Sequence, residues 1–220
     1  LEEDDLKQTI EDSKIHKPKI TLISIENTHL ASGGSIVPYD KIMSISSIAK
    51  ENNLKLHIDG ARIWHAILEE DKGYDYGNFC DSLTFCFSKG LGAPVGSMLL
   101  GSSDFIEDSR EYRKKLGGGM RQVGIIASAA KYAINMRDEI LHDHEKTRYI
   151  YKKLSEIKEK LNLIDEIEYK GTNMIFLIFK DNMMSTDFLK KLEKGNIKAG
   201  LIKKNIVRLV LHKDVNNKDL

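Results

Sequence analysis

The fold assignment begins from Ser82-Leu-Thr-Phe-Cys-Phe-Ser-Lys-Gly90, which joins a short apolar run to a serine, a lysine and a glycine. A run of this length, bounded by turn residues, predicts a β-strand over 82–87. Two similar runs precede it at 20–25 and 54–58. The run at 20–25 is β-branched and almost uninterrupted, which is typical of a strand buried on both faces of a parallel sheet.

The segments around these strands alternate between helical and extended patterns. Apolar residues recur at helical spacing over 39–52, at Ile42, Ile45 and Ile48. The further predicted elements of this region are a helix over 62–70, a loop over 73–81, a strand over 95–100 and a basic helix over 106–115. Strands that alternate with helices predict an α/β domain with a mostly parallel sheet.

The pattern changes after a long helical stretch, which we predict over about 122–161. The elements predicted beyond it are a strand over 173–179, a helix over 185–194 and a strand over 206–211. These elements indicate a small α+β unit. We therefore predict that 1–140 form part of a large domain whose upstream portion is missing, and that 141–220 form a linking helix and a small C-terminal domain.

The two ends of the chain indicate a fragment of a longer protein. The first residue is leucine rather than methionine, and the last six residues close no recognisable element. At the start of the chain, 1–19 are predicted to hold the remnant of a helix and a linker that ends at Pro18.

The composition argues against several classes of binding partner and of cellular location. The 34 Lys and Arg residues balance 33 Asp and Glu, so we expect neither a nucleic-acid nor a membrane partner. No apolar run approaches the roughly 20 residues of a spanning helix, and the acidic start does not resemble a signal peptide. The 2 cysteines form no disulfide framework. A cytoplasmic location is the expectation.

Polar side chains follow three of the predicted strands. They are found in Glu26-Asn-Thr-His29, His57-Ile-Asp-Gly-Ala-Arg62 and Ser88-Lys-Gly-Leu-Gly92. Ligands of open α/β sheets bind beyond the carboxyl ends of the strands, where these segments would lie. Asp59 and Lys89 therefore end two apolar strands at a position where a ligand could reach both.

This pair suits the cofactor pyridoxal 5'-phosphate (PLP). A lysine amine can form a Schiff base with its aldehyde, and a carboxylate can keep its ring nitrogen protonated. Arg62, three residues after Asp59, offers the planar pair of donors that a substrate carboxylate needs. A structural alternative is that Asp59 caps a helix beginning at Gly60 and that Lys89 is an exposed turn lysine.

Four segments together resemble, in order and spacing, the motifs of the low-specificity threonine aldolases. Three are the segments quoted above, with the last extended to Gly96, and the fourth is Arg113-Lys-Lys-Leu-Gly-Gly-Gly-Met-Arg-Gln122. Arg208, in Ile-Val-Arg-Leu-Val-Leu211, is similar to the C-terminal arginine motif of that family. The resemblance covers 20–215 and implies the PLP-dependent transferase fold, with a large cofactor domain and a small C-terminal domain.

The resemblance also implies how the cofactor would be bound. Lys89 would bond covalently to PLP, and Asp59 would pair with its ring nitrogen. Arg121, with Lys114 near it, would reach the cofactor phosphate of a neighbouring subunit. The resemblance thus implies a homo-oligomer, a dimer or tetramer with shared active sites.

The implied reaction is retro-aldol cleavage of L-threonine or L-allo-threonine to glycine and acetaldehyde. Arg62 and Arg208 would hold the carboxylate of this small amino-acid substrate, and His29 would lie near its side chain. The catalytic base stays open between His29, a bound water and a histidine outside this chain. Two alternatives are a non-catalytic remnant that serves only oligomerisation and a related PLP lyase that performs β-elimination.

The other histidines carry no comparable signal. His57 alternates with Asp59, so it is either a partner of that carboxylate or an ordinary core histidine. His142 and His144 stand two positions apart in a predicted helix and do not face each other. We therefore expect no metal site.

Overall fold

The computed structural model describes residues 2–13, 18–71 and 75–220. Within these residues the chain forms two compact units, one from Leu1–Thr28 and Val37–Met136, the other from His29–Ile36 and Arg137–Leu220. The predicted linker at 14–17 and the start of the predicted loop at 73–81 lie outside the described residues. The assignment of domains at 140 and 141 stays a prediction about the whole protein.

The first unit is an α/β structure built on a mixed sheet. Its elements, in chain order, are α1 (Glu3–Asp12), β1 (Leu22–Glu26), α2 (Tyr39–Glu51), β2 (Lys55–Asp59), α3 (Ile63–Glu70), β3 (Ser82–Cys86), β4 (Ser97–Gly101), α4 (Ser103–Lys115) and α5 (Gly124–Asn135). The strand order is β1-β2-β3-β4. Strands β1 to β3 are parallel and β4 runs antiparallel to β3. The α/β class and the mostly parallel sheet match the sequence-based prediction.

One face of this sheet carries the core of the first unit. Alternate residues of the parallel strands are buried there, namely Ile23, Ile25, Leu56, Ile58, Leu83 and Phe85. Helix α2 packs against β2 and buries Ile42, Ile45 and Ile48. The prediction that the first strand is buried on both faces is wrong for the described residues, because Leu22 on the other face is 51% exposed.

The second unit is an antiparallel sheet with two helices. Its elements are α6 (Ile140–Leu161), β5 (Ile164–Tyr169), β6 (Met174–Phe179), α7 (Asn182–Lys194), β7 (Gly200–Lys203) and β8 (Ile206–Val210). The strand order is β5-β6-β8-β7. The core forms around β6 and β8, where Ile175, Leu177 and Val207 are fully buried. Strands β5 and β7 were not predicted; both are edge strands, which carry more polar residues and give a weaker apolar signal.

The long helix predicted over 122–161 is instead broken. Helix α5 ends at Asn135, a short 3-10 turn covers Arg137–Glu139, and α6 begins at Ile140. Asn135 and Asp138 favour such a break because their side chains compete for backbone hydrogen bonds. The break coincides with the boundary between the two units. No described helix combines the length and apolarity required to cross a bilayer.

Candidate functional site

The carboxyl ends of β1, β2 and β3 meet at one edge of the first unit's sheet. Asp59, the last residue of β2, pairs in register with Glu26 on β1 and with Thr84 on β3. Lys89 follows β3, which ends at Cys86. The predicted carboxylate and amine therefore follow adjacent strands at this edge. Neighbouring strands of a sheet lie about 4.8 Å apart.

The Asp59 carboxylate is exposed and held by the backbone that follows it. Its Oδ1 accepts a hydrogen bond from the Ala61 N–H at 3.1 Å. Helix α3 begins only at Ile63, with Arg62 at its N-cap. The alternative that Asp59 caps a helix beginning at Gly60 is therefore wrong. His57, on the same face of β2, pairs with Ser82 through its Nδ1 at 2.8 Å from the serine Oγ.

Gly60 makes the tight turn that carries the chain from Asp59 to Arg62. A Cβ at this position would lie 2.7 Å from the Thr84 carbonyl oxygen and 2.9 Å from the Ile63 Cβ. The Gly60 N–H donates to the same carbonyl at 2.8 Å. The turn is thus pressed against β3, and only glycine fits. Arg62, half-buried, follows directly on this turn.

Asn27 anchors the end of β1 at the same edge, and sequence reasoning assigned it no role. The residue is fully buried. Its backbone N–H donates to the Asp59 carbonyl at 2.9 Å, and its side-chain Oδ1 accepts from the Val37 N–H at 3.1 Å. Asn27 therefore fixes the backbone of the residue that presents the carboxylate. The sequence feature that could have pointed to this role is the position of Asn27 in the Glu26-Asn-Thr segment, directly after the strand.

Lys89 lies in a turn that is anchored on both sides. The buried Phe87 and Ala93 flank it, and the Ala93 N–H donates to the Phe87 carbonyl at 2.9 Å. The Gly92 N–H donates to the Lys89 carbonyl at 2.8 Å, with Gly92 in the left-handed region at φ 76°. The Lys89 side chain is exposed and makes no hydrogen bond or ion pair with any residue that the structure describes.

A basic concavity follows α4 and brings Lys114 and Arg121 together. The cavity measures about 420 Å³ and is also lined by Arg110 and Arg113. Helix α4 ends where Gly117 adopts φ 80° and the Gly118 N–H donates to the Arg113 carbonyl at 2.8 Å. Within the described part of the chain, Lys114 and Arg121 form no ion pair, so their charges are available to an anion.

Two predicted site residues, His29 and Arg208, belong to the second unit. The His29 Nδ1 lies 2.6 Å from the Ser32 Oγ. Arg208 lies on β8, and its Nε is buried without a hydrogen-bond partner among the described residues. Leaving a buried donor without a hydrogen-bond partner costs free energy. The structure thus brings Asp59, Arg62 and Lys89 to one edge of the first unit's sheet, whereas His29 and Arg208 belong to the second unit.

A second cavity, of about 1060 Å³, lies at the opposite, amino end of the strands of the first unit. Leu22, Trp64 and Phe105 line it, together with Cys80. Burial raises the pKa of the Cys80 thiol to about 11. The cavity is mainly apolar and contains neither Asp59 nor Lys89, so the chemistry of the candidate site lies elsewhere.

Comparison with known sequences gives one family and a consistent set of relatives. The family model described as Beta-eliminating lyase matches residues 1–180. The chain is 35% identical over 220 residues to the low specificity L-threonine aldolase of Escherichia coli O157:H7, covering 99% of the chain and 62% of that protein. It is 36% identical over 207 residues to low-specificity L-threonine aldolase 1 of Arabidopsis thaliana, covering 92% and 57%.

Comparison with solved structures gives the same fold. A putative L-allo-threonine aldolase from Listeria monocytogenes superimposes with a TM-score of 0.76 at 17% identity, over 98% of this chain and 61% of that one. A threonine aldolase from Leishmania major gives 0.76 at 20% identity, over 100% and 64%. The chain spans 53 to 62% of the length of the first curated relatives that it matches.

Proposed function

The chain belongs to the beta-eliminating lyase family, and from this premise we propose that the protein cleaves L-threonine and L-allo-threonine to glycine and acetaldehyde. Enzymes of this family and the threonine aldolases depend on PLP, so the cofactor predicted from the sequence is confirmed at the level of the family. One observation carries the proposal: an exposed carboxylate ends β2, and an exposed lysine that no described residue engages follows the adjacent parallel strand β3 at the same edge of the sheet.

The side chains present fit this cofactor. Lys89 offers an amine that no described residue engages. Asp59 offers an exposed carboxylate whose orientation is held by the Ala61 N–H. Lys114 and Arg121 offer two cationic groups that form no ion pair with any described residue, which suits a phosphate. When bound, PLP supplies a ring that accepts the electrons of the broken bond.

Each residue then has a definite task. The Nζ of Lys89 would hold the cofactor, and the Asp59 carboxylate would keep a proton on the ring nitrogen. The guanidinium groups of Arg62 and Arg208 would bind the substrate carboxylate through paired N–H donors. The buried Nε of Arg208, which finds no hydrogen-bond partner among the described residues, supports that role. The base that removes the β-hydroxyl proton is His29, a bound water or a histidine outside this chain.

The proposed enzyme is a homo-oligomer, a dimer or tetramer in which Lys114 and Arg121 serve the neighbouring subunit. An exposed apolar surface around these residues supports this arrangement. Leu116 and Ile125 are each 85% exposed, and Met120 is 57% exposed. Several exposed apolar side chains in one segment are typical of contact with another chain. The proposal includes a cytoplasmic location, which agrees with the free thiols of Cys80 and Cys86.

The first experiment tests the cofactor lysine. Purified protein mixed with PLP should show a visible absorption band from lysine-bound cofactor, and Lys89→Ala should abolish it because no amine remains at the proposed cofactor site. Lys153→Ala, a change of an exposed lysine on α6, is the matched control and should retain the band. A band of equal intensity in the Lys89→Ala variant would refute the assignment.

The second experiment tests the reaction. Threonine should yield glycine and acetaldehyde in equal amounts, and Arg62→Ala should lose most turnover while keeping the absorption band. The family description favours one other reaction, β-elimination, in which serine would yield pyruvate and ammonia. Release of ammonia without glycine would show that the protein catalyses β-elimination rather than aldol cleavage. A protein that binds PLP and releases none of these products would support a non-catalytic role.

A further inference from the structure

His65 is buried beside the turn that carries Lys89. It is the third residue of α3 and only 1% exposed. A Cβ built on Gly90 would lie 2.5 Å from the His65 Nε2 and 3.2 Å from its Cε1. The edge of the imidazole therefore touches the backbone of the residue next to Lys89, at a distance that no side chain at position 90 would permit.

The backbone of His65 is tied to the other part of the candidate site. Its N–H donates to the Arg62 carbonyl at 3.0 Å, and the Ile63 N–H donates to the Gly60 carbonyl at 2.8 Å. Gly60 and Arg62 belong to the turn that follows Asp59. His65 thus contacts the Lys89 turn with its ring and the Asp59–Arg62 turn with its main chain.

The direction of the Lys89 side chain depends on its backbone. The side chain is exposed and no described residue bonds to it, so side-chain contacts do not orient it. The turn itself is fixed by backbone hydrogen bonds at Phe87–Ala93 and Lys89–Gly92. Gly90 lies within this turn, and the three heavy atoms nearest to a Cβ built on it all belong to the His65 ring.

We propose that His65 is a positioning residue that holds the Lys89–Gly90 turn at a fixed distance from Asp59 and Arg62. The inference rests on the proposed role of Lys89 as the cofactor lysine. His65 touches neither cofactor nor substrate in this scheme. It would act by keeping the Lys89 amine within reach of the PLP aldehyde while Asp59, on the adjacent strand, pairs with the ring nitrogen.

The test is a four-member set: the unaltered protein, His65→Ala, Gly90→Ala and the double variant. At saturating PLP, the measured quantity is the ratio of the visible band of lysine-bound cofactor to the band of free aldehyde. Gly90→Ala should lower this ratio at least tenfold, because the new methyl group displaces the turn. In the His65→Ala background the same change should lower the ratio less than threefold, because the methyl group enters the vacated space.

A control variant, a fallback variant and a stability measurement make the result decisive. Gly77→Ala is the matched control, since a Cβ there meets no atom within 4 Å, and it should leave the ratio unchanged. His65→Asn, which is smaller but still polar, replaces His65→Ala in the set if the alanine variant does not fold. The melting temperatures of the cofactor-free variants separate a merely structural contact from a positioning role.

The outcomes distinguish this inference from the proposed function. Equal effects of Gly90→Ala in both backgrounds would overturn the positioning role while the Lys89-dependent band persists. Coupling seen only in the melting temperature would also overturn it, because the contact would then be structural alone. Absence of any Lys89-dependent band in the unaltered protein would instead overturn the proposed function and, with it, this inference.

Discussion

Lys146 in the second unit and Lys89 in the first have opposite surroundings. Lys146 is 8% exposed, and its Nζ lies 2.7 Å from the Asp143 Oδ1, 2.8 Å from the His212 carbonyl oxygen and 2.9 Å from that of Val215. Its ammonium therefore forms an ion pair with one carboxylate and donates hydrogen bonds to two backbone carbonyls. Lys89 is exposed, and no described residue accepts a hydrogen bond from it.

The comparison distinguishes a lysine whose charge stabilises the fold, Lys146, from one whose amine is available to a ligand, Lys89. A buried charge is tolerated only when it is paired, as Lys146 is with Asp143 on α6. The hydrogen bonds from Lys146 to the His212 and Val215 carbonyls attach the segment after β8 to α6. An amine that must bond to a cofactor cannot be engaged in the same way. Burial raises the pKa of the Asp143 carboxyl, although the Lys146 ammonium acts in the opposite direction.

The largest expected effect comes from breaking the buried pair. Lys146→Met should lower the free energy of unfolding by about 3–5 kcal/mol at pH 7, because it leaves the Asp143 carboxylate buried without its cation. The loss should shrink as the pH falls, because protonation of Asp143 removes the unpaired charge. Urea denaturation at two pH values measures both effects.

Lys153 offers a matched control for this prediction on the same helix. It forms an ion pair with Glu156 at the same i,i+3 spacing, but the side chains are 53% and 48% exposed. Lys153→Met should therefore change the free energy of unfolding by less than about 0.5 kcal/mol. Equal losses in the two variants would show that burial does not distinguish the two pairs.

The sequence predicted the first unit better than the second, for physical reasons. The strand that ends at Cys86 and the carboxylate at Asp59 were visible because an apolar run stops abruptly at polar residues. Strand β5, Ile-Asp-Glu-Ile-Glu-Tyr, is an edge strand whose outer residues face solvent, so its apolar signal is weak. Edge strands and helix breaks depend on tertiary context that one local pattern does not contain.

The role of His65 could not have been predicted from its own neighbourhood. Its partner, Gly90, lies on a different strand end, and a glycine after a lysine has many explanations. The contact becomes visible only when a Cβ is placed on Gly90 and meets the imidazole. Asn27 is similar, because its hydrogen bonds reach Asp59 and Val37 across the fold.

A second prediction concerns Gly34, which is packed against a polar side chain in the second unit, as Gly90 is in the first. Gly34 has φ 75°, and a Cβ there would lie 2.7 Å from the Oγ1 of the fully buried Thr172. Gly34→Ala should lower the free energy of unfolding by about 2–4 kcal/mol, through backbone strain and steric overlap together. Thermal and urea unfolding measure the loss.

Gly171 separates the two contributions. It has φ 91°, but a Cβ there would meet no atom within 4 Å. Gly171→Ala should therefore lower the free energy of unfolding by about 1 kcal/mol, from the backbone conformation alone. If the two variants lose the same amount, the contact between Gly34 and Thr172 contributes no steric constraint.

The smallest expected effect concerns Asp81, at the amino end of the sheet that presents Asp59 at its carboxyl end. Asp81 accepts hydrogen bonds from the Lys55 Nζ at 2.7 Å and the Leu56 N–H at 2.9 Å. Burial alone would raise the pKa of Asp81, but these bonds and the lysine charge outweigh it and lower the pKa below its usual value. A carboxyl with a lowered folded-state pKa stabilises the fold at pH values above its unfolded-state pKa, and that stabilisation is lost as the pH falls through the folded-state pKa.

Asp81→Asn should therefore lower the free energy of unfolding by less than about 1 kcal/mol at pH 7, because the pair is largely exposed, and by nothing measurable in acid. A loss that is independent of pH would mean that the shape of the side chain, rather than its charge, holds this end of the sheet.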